Sequence, residues 1–266
     1  LGRLQCMSGF LSFIVRVLKL SGYTVEVENL DLPRTRPDAF TPDWDRIADV
    51  QFRPGQEDCM LAMVASEGGV IQAAPGFGKS FTIAQFARLY PNAKFAITVK
   101  STENANSLHR DLVAVLPNVG RVGAGNRNFG RVTVYNADSL HYCDGDIDFL
   151  IADEVHELVA DKYTASLSNV VVAACSRNFG FTATFGERAD GAQARAEGLF
   201  GPKVFLNTQQ ESEKAGSVVP VEIHWHDVPM DNPVNGKSGV SRKRWGIWRN
   251  ELRNKLIAKI ALEQDD

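Results

Sequence analysis

The chain has 266 residues, of which 44% are hydrophobic and 23% charged, and a net charge of -3. This is enough apolar material for a core without staples, which excludes a disordered chain and a disulfide-built scaffold. The balance also excludes a protein that holds nucleic acid by overall positive charge. The four cysteines, Cys6, Cys59, Cys143 and Cys175, form no C-x-x-C pair and fit no zinc spacing, which predicts reduced thiols in a cytoplasmic protein.

From the N-terminus, Phe10, Phe13, Ile14, Val17 and Leu18 recur at helical spacing, which predicts an amphipathic helix near residues 8–21. Arg16 and Lys19 interrupt this run, and it is too short to span a membrane. A strand is expected at Thr24 to Val27, then a linker rich in Asp and Pro. Residues 1–50 thus read as a small α/β appendage.

Beyond residue 51, helices and strands alternate. Pro54 opens a helix through Ser66, and a second helix runs from Lys79 to Tyr90. A third continues through Leu116, and short apolar runs lie at Gly69–Ala73, Phe95–Val99, Val132–Tyr135, Phe149–Ala152 and Phe179–Thr182. Buried strands alternating with helices predict an α/β fold with a mainly parallel sheet flanked by helices, and a ligand outside the carboxyl ends of the strands. Val221 to Val228 reads as a further strand with His224 and His226 on one face, a pair without an evident third metal ligand. A basic helix is expected over Trp245–Leu262; between Lys237 and Lys259 there are eight basic residues and one acid, Glu251. That stretch is either a solvated face or a phosphate-contacting one. Trp245 and Trp248 either pack the helix or stack on unpaired bases.

Two motifs carry chemistry. Ala73-Ala74-Pro75-Gly76-Phe77-Gly78-Lys79-Ser80 follows a strand and opens a helix, the context of a phosphate-binding loop. Gly76 and Gly78 let backbone N–H groups turn inward, Lys79 offers a point charge to β- and γ-phosphates, and Ser80 a hydroxyl to magnesium. Phe149 to Ala152 ends in Asp153-Glu154-Val155-His156. Asp153 is placed to hold Mg²⁺, Glu154 to act as general base on the attacking water, and His156 to hydrogen-bond across to the group that senses the γ-phosphate.

Ala-x-x-Gly-x-Gly-Lys-Ser followed by Asp-Glu-Val-His resembles the superfamily 2 helicases and translocases. Phe52-Arg53-Pro54-Gly55-Gln56 resembles their upstream glutamine motif, implying that Arg53 and Gln56 contact the nucleotide and that Gln56 reads the adenine edge. Thr98-Val99-Lys100-Ser101 and Val134 to Leu140 fall where the family contacts nucleic acid, implying such roles for Lys100, Ser101, Asn136 and Ser139. Thr182-Ala183-Thr184 resembles the motif that couples hydrolysis to movement. The stretch Gly180 to Gly191, followed by Leu199-Phe200-Gly201-Pro202, is similar to the branch containing the xeroderma pigmentosum group B repair helicase and phage recombination helicases. Within it, Glu187, Arg188 and Asp190 loosely echo an Arg-Glu-Asp element.

The resemblance implies a RecA-like P-loop NTPase domain over residues 51–230 and a segment 231–266 leading to a second RecA-like domain of the parent chain. It implies ATP and Mg²⁺ as ligands, and DNA, double-stranded or branched, rather than RNA. The expected function is the ATP-binding half of a DNA helicase or translocase in repair, recombination or phage replication. The motor part of a restriction-type enzyme and a non-motor ATP-binding regulatory module are the alternatives. Alone, the segment is expected to bind ATP weakly, hydrolyse it slowly and not unwind DNA, because the arginine that stabilises the transferred phosphoryl group belongs to the second domain.

Overall fold

Short apolar runs buried on both faces can be accommodated only in a sheet covered from both sides. The computed structural model describes residues 6–27, 37–143, 146–159, 161–174, 177–185, 191–216, 224–227 and 238–263. Its strands are β1 (Gly68–Ala73), β2 (Phe95–Val99), β3 (Val119–Gly123), β4 (Asn126–Asn128), β5 (Val132–Asn136), β6 (Phe149–Ala152), β7 (Arg177–Thr182) and β8 (Lys203–Asn207). They form one sheet in the order β4-β3-β5-β2-β6-β7-β1-β8. Every pairing is parallel except β3 with β4.

The helices are α1 (Leu11–Leu20), α2 (Gln56–Val64), α3 (Lys79–Leu89), α4 (Thr102–Val113), α5 (Val155–Leu158), α6 (Asp161–Ala174), α7 (Ala192–Phe200), α8 (Gln209–Lys214), α9 (Gly239–Lys243) and α10 (Glu251–Glu263). One core lies under α2, α3 and α4, where Cys59, Met60, Met63, Phe86, Leu89 and Leu112 meet Phe95, Phe149 and Phe179 of the sheet. Phe86 sits edge-on to Phe95, Phe149 and Phe179, with ring centroids 6.2, 5.2 and 5.8 Å away, the geometry that aromatic quadrupoles favour. Burial in this core pushes the Cys59 thiol up to about 12, so it stays protonated and unreactive. The other face is covered by α5, α6 and α7 through Val155, Leu158, Leu167, Ala196 and Phe200. Ala39 and Ile47, upstream of the alternating region, are buried in the first core.

β1, β2, β5, β6 and β7 appear where the apolar runs predict them. Three strands lack such a run: β3 is interrupted by glycine and Arg121, β4 is an exposed polar edge, and β8 opens on Lys203. They are held by their neighbours' ladders, not by their own hydrophobicity.

Two expectations are corrected. Thr24 to Val27 forms no strand, because no sheet edge pairs with it; the regular elements described before residue 51 are all helical. The helix expected over Trp245–Leu262 is broken. A π turn at Arg244–Trp248 closes with the Arg249 N–H donating to the Arg244 carbonyl, and Asn250 Oδ1 then accepts from the Arg253 N–H at 3.0 Å and starts α10 afresh. Of the strand expected at Val221–Val228, His224 to Asp227 carry no strand and the rest lies outside the described residues. Glu187, Arg188 and Asp190 also lie outside them. By internal contacts the chain divides into two units, Leu1–Val219, which contains the sheet, and Pro220–Asp266, which contains α9 and α10.

Candidate functional site

Three neighbouring strands, β6, β7 and β1, end side by side at the carboxyl edge of the sheet. They deliver the acid pair, the Thr-Ala-Thr turn and the glycine-rich loop to one place. Gln72 is in register with Thr182, and Ala152 with Gly180, so three segments distant in sequence share an edge.

The loop after β1 takes positive φ at Gly76 (79°) and Gly78 (90°), a region open to glycine at little cost. A Cβ on Gly78 would lie 2.5 Å from Gln56 Nε2 and would push the end of that side chain away from the loop. Gly78 stands at the N-cap of α3 and contributes no side-chain cap. The first N–H groups of α3 therefore have no side-chain acceptor from that position and carry the positive end of the helix dipole, which is what an anion needs. Phe77 is buried and Pro75 exposed.

Gln56 has a bracing role beside the one the resemblance implies. Its side chain is only 2% exposed. Its Oε1 accepts from the Arg53 N–H at 3.0 Å, and its Nε2 donates to the Phe77 carbonyl at 2.8 Å. It thus braces the glycine loop against the start of α2, and each end of its amide is engaged by backbone. The Arg53 guanidinium remains exposed.

Pro75 and Phe77 apart, the loop residues expected to meet the ligand line a cavity of about 680 Å³ together with Asp153. Its walls are Gln51, Arg53 and Gln56, the loop and α3 residues Gly76, Gly78, Lys79, Ser80, Phe81 and Ala84, and Asp111 and Val115 of the following segment. Ser80 and Asp153, the two expected metal ligands, face the same space. Among the described residues no group of three His, Cys, Asp or Glu side chains could hold a metal ion. A two-ligand set of one carboxylate and one hydroxyl fits magnesium, which keeps waters and takes its remaining oxygens from phosphates.

Burial raises the Asp153 carboxyl above its ordinary range; the Lys79 charge and a hydrogen bond from the Glu154 N–H oppose the shift, and the Glu154 charge adds to it. Lys79 Nζ lies 2.5 Å from Glu154 Oε1, with both side chains mostly covered. Glu154 adopts left-handed backbone angles, φ 51° and ψ 50°, as the N-cap of α5. For a non-glycine residue this conformation costs about 1–2 kcal/mol, and it turns the carboxylate back toward the loop instead of along the helix.

From Glu154 a polar chain runs to the Thr-Ala-Thr turn. The Thr182 hydroxyl donates to the Thr184 carbonyl at 2.9 Å and accepts from the Thr184 N–H at 3.2 Å. With its proton committed, Thr182 Oγ1 accepts from His156 Nδ1 at 2.8 Å, which assigns a hydrogen to that ring nitrogen. Glu154 Oε2 lies 3.5 Å from the same nitrogen. Ala183, half-buried, carries the turn between the two threonines.

Of the residues expected at nucleic acid, Asn136 is buried and the others reach the surface in part or in full. Lys100 is exposed and pairs with Glu157 at 3.3 Å. The Ser101 hydroxyl caps α4, accepting from the Asn104 N–H at 3.1 Å. Ser139 is half-buried in a 3₁₀ turn. Asn136 is turned inward: it is buried, accepts from the Arg121 guanidinium and donates to Thr102 Oγ1 at 3.1 Å, so its amide ties β5 to β3 and α4. Motif reading passed over Gln51, Phe81, Asp111 and Val115 in the cavity wall, and no local pattern marks them; the sheet order and the packing of α3 beside α4 bring them there. No helix among the described residues is long and apolar enough to cross a membrane.

A family model described as the type III restriction enzyme, res subunit, matches residues 49–187. No curated protein sequence matches. Among solved structures, the UvsW helicase of bacteriophage T4 is 17% identical with a TM-score of 0.58, over 74% of this chain and 78% of that one. A further T4 UvsW structure gives 17% and 0.59, over 75% of this chain and 45% of that one. A nuclease-deletion mutant of the type ISP restriction-modification enzyme LlaGI, solved with a DNA substrate mimic, gives 15% and 0.51, over 62% of this chain and 20% of that one. The chain thus spans less than half of the longer two of these proteins. At such identities the structural likeness shows the fold. With a matched family model covering half the sequence and a sheet that brings loop, acid pair and Thr-Ala-Thr turn to one edge, the chain belongs to the type III restriction enzyme res subunit family and carries a RecA-like motor domain of the superfamily 2 helicases.

Proposed function

We propose that this domain binds and hydrolyses ATP with magnesium as the first half of a DNA helicase or translocase. The observation that carries this reading is the single cavity faced by Lys79, Ser80 and Asp153, with Glu154 in contact with the same lysine. A triphosphate laid along the loop meets the N–H groups of α3 and the Lys79 ammonium. Ser80 and Asp153 would hold magnesium, which would supply positive charge against the phosphates. Lys79 then exchanges Glu154 for phosphate, which frees the Glu154 carboxylate to orient a water and take its proton. The protonated His156 Nδ1 is in reach of both Glu154 and Thr182, so movement of the acid is transmitted to the Thr-Ala-Thr turn.

Residues 51–230 make up this motor domain. The basic stretch at 231–266 leads toward a second RecA-like domain, which supplies the arginine for phosphoryl transfer. DNA is the track, contacted by Lys100, Ser101 and Ser139; Asn136 acts from within by fixing β5. The protein is cytoplasmic. A second reading, the motor part of a restriction-type enzyme, is favoured by the description of the matched family; a nuclease or methyltransferase domain in the parent protein distinguishes it.

Titration of the chain with a fluorescent ATP analogue, with and without Mg²⁺ and across pH, tests the reading. Saturable binding strengthened by Mg²⁺ is expected. The Asp153 carboxyl holds its proton more tightly than an ordinary aspartate, and metal competes with that proton. The Mg²⁺-dependent gain is therefore complete above the raised pKa. It is lost as pH falls through it, at higher pH than an unperturbed aspartate would give. Binding that ignores Mg²⁺ at every pH would refute the assignment of Asp153.

A further inference from the structure

The cavity continues past the glycine loop. Its lining also includes Phe81 and Ala84 of α3, and Asp111 and Val115 at the far end of α4, a helix that like α3 starts at the carboxyl edge of the sheet and runs away from it. Ala84 lies five residues beyond Lys79, about 7 Å along the helix at 1.5 Å per residue. This end of the cavity is apolar apart from Gln51, Arg53 and Asp111, and Phe81 packs edge-on to Phe52 at 6.1 Å. Asp111 is exposed and, among the described residues, has no hydrogen-bond or ion-pair partner. An unpaired carboxylate cannot lie beside the phosphates, since like charges repel in a partly water-excluded cleft. It can accept hydrogen bonds from sugar hydroxyls, as carboxylates do in other nucleotide sites.

We infer that Asp111 accepts a hydrogen bond from a ribose hydroxyl of the bound nucleotide, which makes it a residue that selects ribonucleotides. The inference rests on the ATP reading above. Phe81, Ala84 and Val115 form the apolar wall beside the sugar, and Asp111 supplies the one acceptor of full negative charge at that end.

The test compares Mg²⁺-dependent binding of ATP and 2′,3′-dideoxy-ATP to the wild-type chain and to Asp111→Ala. Asp111 is solvent-exposed in a helix and has no partner to lose, so the variant keeps the fold, which far-UV circular dichroism checks. The wild type is expected to favour ATP by about tenfold, the worth of one hydrogen bond to a charged group. Asp111→Ala is expected to weaken ATP to the level of the dideoxy analogue while leaving the analogue unchanged. Equal binding of the two nucleotides by the wild type, or a preference that survives in the variant, overturns the inference and leaves the ATP reading standing. Failure of ATP to bind the wild-type chain overturns both.

Discussion

Glu154→Gln is expected to bind ATP and Mg²⁺ at least as tightly as the wild type and to lose about 10²–10⁴-fold in hydrolysis, the usual contribution of a positioned general base. The binding half of this expectation follows from the 2.5 Å contact between Glu154 and Lys79. A neutral glutamine competes less for the ammonium, so more of its charge is available to phosphate. The catalytic half follows from the left-handed backbone of Glu154, which aims the side chain at the loop. Single-turnover hydrolysis with labelled ATP measures the rate without requiring product release. Turnover within threefold of wild type would assign the base elsewhere.

Lys79→Ala is expected to weaken ATP by about 100-fold or more, from the loss of charge-assisted hydrogen bonds to phosphate. The damage reaches beyond one contact. Lys79 is a charge that lowers the proton affinity of Asp153, and its loss leaves Asp153 and Glu154 side by side without that cation. Asp153 then holds its proton more tightly and binds a metal less well. A binding titration by calorimetry, with a thermal melt as a folding control, separates loss of the site from loss of the fold. Retention of affinity within a few-fold would remove the lysine from the phosphate site.

The legible part of this protein was its centre. Phe95–Val99 and Phe149–Ala152 announced themselves because a strand buried on both faces in a parallel sheet has to be apolar throughout. Gly76, Gly78, Lys79 and Ser80 were legible because phosphate chemistry restricts residue types in a contiguous stretch. Edge strands were not: Asn126–Asn128 and Lys203–Asn207 need only one good neighbour, so their sequences are free to be polar. Asp111 was invisible for a different reason, since it joins the cavity through the packing of two helices and not through any spacing along the chain. Gln56 and Asn136 have internal roles that motif reading does not reveal. Their positions matched, but their amides are engaged inside the protein, one bracing the glycine loop and the other holding a buried arginine. The break at Asn250 was missed because a basic amphipathic pattern does not reveal that an asparagine within it acts as a cap.

The account depends on Ser80 and Asp153 acting on one ion. A double-mutant cycle on the Mg²⁺-dependent part of ATP affinity, with Ser80→Ala, Asp153→Asn and the double variant, tests this directly. If both side chains serve a shared magnesium, the double variant is hardly worse than the worse single one, and the coupling is roughly 1–3 kcal/mol. Strictly additive losses, with each variant retaining its own share of the magnesium effect, would contradict a single metal bridging the glycine loop and the acidic strand end.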